Sequence, residues 1–218
     1  MGSSTTGFNG EYRNCIKGKR KSRYIEEFTQ YDSYGNNIYK IIKDKESRRI
    51  EKFIVYDIDQ REIGSIEKQA NCDRINFTLY DQNNQITKHI EKINDCCTCC
   101  STNYNFYGVD NDIEAIAVFK AECNSTEYEV YDKYNTMINR AEMNIKCCEE
   151  NYFHEYDQNF NKVFKIIWKR ASLEKTFKIF DNNETEVNLE NKTLFNDGFT
   201  KIQVILILEM LFFNNDDD

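Results

Sequence analysis

The chain has 218 residues, a net charge of -8 and aromatic side chains at 14% of its positions. That aromatic content, in a chain long enough to bury one sizeable core, excludes a wholly disordered chain and fits a single folded domain. The acidic balance argues against general nucleic-acid binding.

The first residues, Met1 to Thr6, are small and polar. No secretory leader is expected from them, and the protein is expected to stay inside the cell. They fit the N-myristoylation pattern with Gly2 as acceptor. A basic run follows at Lys17, Lys19, Arg20, Lys21 and Arg23. One acyl chain holds a membrane only marginally without a second signal. A lysine or arginine beside an anionic leaflet adds on the order of 1 kcal/mol. Residues 1–24 therefore read as a flexible, lipid-anchored basic arm in front of a folded domain at 25–213.

Within that domain one unit recurs. Alternating aromatic and aliphatic residues run into an Asp, a few polar residues follow, and a second alternating run returns, as in Phe53-Ile54-Val55-Tyr56-Asp57 and Tyr128-Glu129-Val130-Tyr131-Asp132. The Asp positions are Asp32, Asp57, Asp81, Asp110, Asp132, Asp157 and Asp181. Side chains alternate between the two faces of a strand, and an Asp carboxylate bonds turn amides, so each unit is a β-hairpin. Six or seven hairpins must hide their edges, and closure does this most simply. The expected fold is all-β with one C-terminal helix: a closed antiparallel barrel of about 12 strands around a central hydrophobic helix.

Nine cysteines, an odd number, include Cys96, Cys97, Cys99 and Cys100 in one run and Cys147 with Cys148 in a second pair. In a reducing compartment they are not expected to form disulfides. A zinc site would need Cys99, Cys100, Cys147 and Cys148 within tetrahedral reach, and zinc is not favoured. The two histidines, His89 and His154, stand alone in strand-like segments without a nucleophile motif, and no Gly-rich phosphate loop is present, so covalent catalysis is not expected.

The most apolar stretch runs from Ile202 to Phe213 through Val204, Ile205, Leu206, Ile207 and Leu208, with Glu209 and Phe212 near its end. It is shorter than the roughly 20 residues a membrane span needs and apolar all round, as an enclosed helix is. It reads as a barrel-filling helix at about 199–213, followed by an acidic tail at 214–218.

Taken in order, the Cys run at 96–100, the strand at Ile113 to Val118, the Cys147-Cys148 pair, Asp157, Val163 and Lys165 leading to Trp168, and the stretch from Asp181 to Glu209 and Phe212-Phe213 resemble the phospholipid scramblase family. That family shares its barrel with the tubby-like and LURP-one-related proteins, and the resemblance covers roughly residues 28 to 213. It implies ATP-independent, bidirectional movement of phospholipids between leaflets, triggered by calcium, at the cytoplasmic face of the plasma membrane or an endomembrane. It also implies palmitoylation of the cysteine run, with a cysteine-rich zinc site or a plain loop as the alternatives. The family's calcium loop falls on Asp181, Asn183 and Thr185, with Glu184 and Glu186 as further oxygen donors. Glu186 stands where such loops want Gly, and Lys192 where they want an acid. The rival expectation is a membrane-tethered, tubby-like adaptor or phosphoinositide-binding protein that moves no lipid.

Overall fold

The computed structural model describes residues 12–20, 25–44, 50–71, 74–94, 101–108, 110–121, 126–144, 150–171 and 174–212. Its strands are β1 (Cys15–Arg20), β2 (Ile25–Tyr31), β3 (Asn37–Asp44), β4 (Glu51–Asp57), β5 (Glu62–Ala70), β6 (Arg74–Asp81), β7 (Ile86–Asn94), β8 (Ser101–Tyr107), β9 (Ile113–Ala121), β10 (Thr126–Asp132), β11 (Met137–Asn144), β12 (Glu150–Asp157), β13 (Lys162–Ala171) and β14 (Glu174–Asp181). One helix, α1 (Lys201–Phe212), follows. Each strand pairs antiparallel with its neighbours in sequence, and β1 pairs with β14, Lys17 facing Thr176, to close the barrel.

The repeat seen in the sequence is a single turn used again and again. In the β4–β5 hairpin the Asp57 N–H donates to the Arg61 carbonyl at 3.0 Å, and the Gln60 N–H donates to the Asp57 carbonyl at 3.1 Å. The Asp57 carboxylate accepts the Arg61 N–H at 2.9 Å. Gln60 sits in the left-handed region at φ 62°, and the register shifts between Val55 and Tyr56. This is a type I turn with a one-residue bulge. The same bonds recur at Asp32, Asp81, Asp132, Asp157 and Asp181, where the carboxylate accepts amides two and four residues on.

Two expectations change here. Asp110 does not close the fourth hairpin. Gly108 does, its N–H donating to the Asp112 carbonyl at 2.9 Å while it accepts from Asn111 at 3.0 Å. A Cβ at Gly108 would stand 2.5 Å from the Glu114 carboxylate. The barrel also has fourteen strands rather than about twelve. Six complete hairpins supply twelve, and the turn at Asp181 has no full return strand, only the bridge from Phe180 to Glu186. β14 is closed instead by Cys15–Arg20, drawn from the stretch expected to be a flexible arm.

Strand number fixes what the lumen must hold. Fourteen strands about 4.8 Å apart and tilted by about 40° close at a radius of roughly 14 Å, which leaves room for one helix of about 10–12 Å diameter inside a shell of wall side chains. The wall contributes Phe28, Phe53, Phe77, Ile90, Val130, Phe153, Ile166 and Phe177, all buried. The helix contributes Ile202, Val204, Ile205, Leu206, Ile207, Leu208, Met210, Leu211 and Phe212, also buried. Burying such a side chain stabilises the fold by about 2 kcal/mol as an upper estimate. The Phe212 ring meets Phe53 edge-on at 5.0 Å between centroids and Phe77 at 5.5 Å.

All the Asp turns stand at one end of the barrel, and residues 187–200 cross that mouth before α1 turns inward. Gln30, itself buried, donates to the Leu189 and Lys192 carbonyls at 2.9 and 2.7 Å. Gly64 lacks a Cβ where one would stand 2.7 Å from the Phe195 ring.

Replacing Asp32 with Ala removes the acceptor of the Tyr34 and Asn36 amides, both at 2.8 Å. Burial acts to raise the Asp32 carboxyl, but the bonds from Asn36, Tyr34 and Gly35 outweigh it and hold the group below its ordinary range. Its stabilisation is therefore present at neutral pH and is lost as the solution is acidified through that depressed range. Asp32→Ala should lower stability at pH 7 by about 2 kcal/mol, read from urea denaturation.

Candidate functional site

The chemistry concentrated in this protein lies where α1 meets the barrel. At the start of the helix, Thr200 and Gln203 form a capping box. The Gln203 N–H donates to Thr200 Oγ1 at 3.2 Å and the Thr200 N–H donates to Gln203 Oε1 at 3.3 Å. The Gln203 amide then donates to Glu155 Oε2 on β12 at 3.0 Å, and Asn139 on β11 donates to Glu155 Oε1 at 3.4 Å. Glu155 is 0% exposed. Its cross-strand partners are Ala141 and Phe164, so burial dominates and pushes the carboxyl up to about 7, with the bonds from Thr200 and Gln203 acting the other way.

The other end of α1 is held by cations, as the negative end of a helix dipole favours. Lys175, buried on β14, donates to the Met210 carbonyl at 3.1 Å. Glu209 accepts from the Tyr104 hydroxyl and from Lys92 at 3.2 Å. Burial, and then the Glu209 charge, hold the Tyr104 hydroxyl well above its ordinary range. Lys68 lies 5.9 Å from the Phe212 ring and pairs with Glu51 at 3.0 Å.

Sequence reasoning placed Ile202 to Phe212 in the lumen and identified Glu209, but missed its partners and missed Glu155. Glu155 stands in an inward position of the alternation, two residues after Phe153, and that parity was the available signal.

The outer wall is polar. Lys52 pairs with Glu67 at 3.2 Å, Lys40 with Glu27 at 3.3 Å, Lys120 with Glu129 at 2.6 Å, and Arg140 with Glu127 and Glu142 at 3.1 and 2.8 Å. A barrel that spans a bilayer turns an apolar band outward, whereas here ion pairs share the outer face with Ile54, Ile116 and Val118. Among the described residues no helix is long and apolar enough to cross a membrane.

Three of the expected calcium donors, Asp181, Glu184 and Glu186, have other partners. Asp181 Oδ1 already accepts the Asn183 and Thr185 amides at 2.8 and 2.9 Å, as in the other Asp turns. Glu184 pairs with Lys165 at 3.3 Å and Glu186 with Lys178 at 2.6 Å. Among the described residues no group of three or more His, Cys, Asp or Glu side chains is gathered to hold a metal. Lys17 of the basic run is buried, pairs with Glu174 at 3.0 Å and stands 3.2 Å from the Tyr12 ring centre, so its charge is spent within the fold. Lys19 and Arg20 contribute backbone to β1. Gly2, Lys21, Arg23, Cys96, Cys97, Cys99, Cys100, Cys147, Cys148 and Phe213 lie outside the described residues. Compared with protein-family models and with curated proteins, the chain matches none.

The Glu155 carboxyl carries a pH signature with a definite sign. Its folded pKa of about 7 lies above the ordinary 4.5, so the protonated form favours folding, and that stability declines as pH rises through this window. Glu155→Gln removes the ionisation. At pH 8 the variant should exceed wild type by up to about 3 kcal/mol, and the gap should close by pH 4.5, as read from thermal unfolding across pH.

Proposed function

We propose that this protein works on membrane phospholipids as a scramblase, moving them between leaflets in both directions without ATP and without covalent chemistry. The observation that carries this reading is the closed barrel around a twelve-residue apolar C-terminal helix with Glu209 near its aromatic end. This is the architecture implied by the family that the sequence resembles. The ion-paired wall keeps the barrel out of the hydrocarbon core, so contact with lipid falls to its ends. Acylation of Cys96, Cys97, Cys99 and Cys100 would hold the protein at the cytoplasmic face. The strands flanking that run, β7 ending at Asn94 and β8 starting at Ser101, meet at the end opposite the Asp turns.

A specific observation favours a second reading, a tethered adaptor that binds lipid without moving it. Ten of the twelve α1 residues are buried, so the apolar helix is closed to lipid while it stays in the lumen. Scrambling lowers the cost of drawing a polar headgroup through hydrocarbon, and it requires α1 or an oligomer to open such a path.

Transbilayer exchange of fluorescent phospholipid in proteoliposomes separates the two. Exchange in both directions without ATP is the expected result. Asp181→Ala is expected to lower stability while exchange and any calcium response persist, since that carboxylate serves the turn. Vesicle binding with no exchange would replace the scramblase by the adaptor.

A further inference from the structure

Every exposed large hydrophobic side chain among the described residues stands at the Asp-turn end of the barrel: Tyr34, Ile58, Ile86, Ile113, Tyr134 and Phe160. They are distributed one to each of the six complete hairpins, on the turn itself or on the first residue of the return strand. Tyr34 is 77% exposed, Tyr134 76% and Phe160 60%, so none of the three is held in place by packing.

Phe160 adds a second, independent observation. It occupies the left-handed position of its turn at φ 61°, where other turns place Gly35, Asn84, Asn111 and Asn135. A bulky side chain is strained there, and an exposed ring gains no packing in return. Strain kept without a structural gain points to a role at the surface.

We infer that this crown of apolar tips is a membrane-docking surface that, in protein not acylated at the opposite end of the barrel, seats the barrel, turn end down, on a bilayer of zwitterionic lipid. The inference rests on the proposed action on lipid. Six side chains on six separate convex tips would need a ring of matching pockets in a folded partner, whereas the interfacial layer of a bilayer accepts each one independently. Tyrosine suits that layer, with an apolar ring and a polar end. Between the first two hairpins lies a groove of about 560 Å³ lined by Tyr12, Tyr31, Gly35, Asn36, Asn37 and Ile58, with no charged side chain, beside the crown residue Tyr34. The charge on the rim sets the lipid class. Asp59, Asp110, Asp112 and Glu184 stand on the tips against Arg61, Lys133 and Lys162. An acidic rim is repelled by an anionic leaflet, so apolar insertion rather than charge attraction provides the binding.

Full-length protein made without acylation, sedimented with vesicles of phosphatidylcholine alone or with one-third phosphatidylserine, tests this. Wild type should bind phosphatidylcholine vesicles, more weakly once phosphatidylserine is added, and with little dependence on salt. The variant Tyr34→Ser, Ile58→Ser, Phe160→Asn should bind at least about ten-fold less, a lower bound for the loss of three inserted side chains. Phe160→Asn alone should weaken binding while its melting temperature stays equal to or above wild type, a combination that a structural role would not give. The inference is overturned by wild type failing to bind, by a triple variant that binds as wild type does, or by binding that needs anionic lipid and disappears in salt. It is equally overturned by concentration-dependent self-association in ultracentrifugation that the triple variant abolishes. Lipid exchange without crown-dependent vesicle binding would remove the crown and leave the scramblase; crown-dependent binding without exchange would do the reverse.

Discussion

A closed sheet of fourteen strands cannot leave its lumen empty, and the rest of the molecule answers that constraint. Eight strands can be filled by their own side chains. At fourteen the gap has the width of a helix, and α1 is the segment made to fill it. The helix is apolar on all sides because it meets wall in every direction, which is why it lacks the single apolar face of a surface helix. Its polar contacts are confined to its ends. Thr200 and Gln203 satisfy its first amides, Lys175 reaches the Met210 carbonyl, and Glu209 is paired with Lys92 and accepts from the Tyr104 hydroxyl.

The two ends of the helix are held by different physics. The carboxy-terminal end is held by charges that match the dipole and one another. The amino-terminal end rests on Glu155, a carboxyl in an apolar shell whose nearest partners are the neutral amides of Gln203 and Asn139. The charged neighbours are engaged elsewhere. Lys201 lies 4.0 Å from Glu114, Arg140 faces outward onto Glu127 and Glu142, and Lys165 pairs with Glu184. The helix seat therefore weakens at its amino-terminal end as pH rises from about 4.5 to about 7.

Much of the fold was legible because its two rules are local. Alternation shows in Phe53-Ile54-Val55 and Phe77-Thr78-Leu79, and an Asp that bonds its own turn amides shows as a periodic residue. The missed parts depend on distant partners. β1 reads as a basic tract because Lys17 and Lys19 alternate with Ile16 and Gly18, and only pairing with β14 reveals the strand. Gly108 was passed over because Asp110 lies two residues on. Glu155 was hidden among outward acids such as Glu127 and Glu129, and only its parity with Phe153, on a strand whose other face carries Tyr152 and Tyr156, sets it apart. Asp181 looked like a metal ligand because a carboxylate followed by alternate oxygen donors is common to a cation loop and to a turn. Asp181 serves the turn by accepting the amides of Asn183 and Thr185.

The turns themselves separate stability from surface. Their geometry needs one residue at positive φ, and Gly or Asn meets that need at least cost. Gly35, Asn84, Asn111 and Asn135 obey this, while Gln60, Phe160 and Glu184 hold φ near 60° against it. Glu184 gains an ion pair with Lys165 in exchange, and Gln60 is an ordinary polar surface residue. Phe160 gains neither, since its ring is turned to solvent on a tip held together entirely by the Asp157 bonds. A repeat that folds by one rule is thus free to vary what its tips present, and five further hairpins each vary it toward an exposed apolar side chain. The barrel in this way separates two tasks that compete in smaller folds: the wall and α1 bury the apolar area that holds the protein together, and the rim leaves apolar area uncovered.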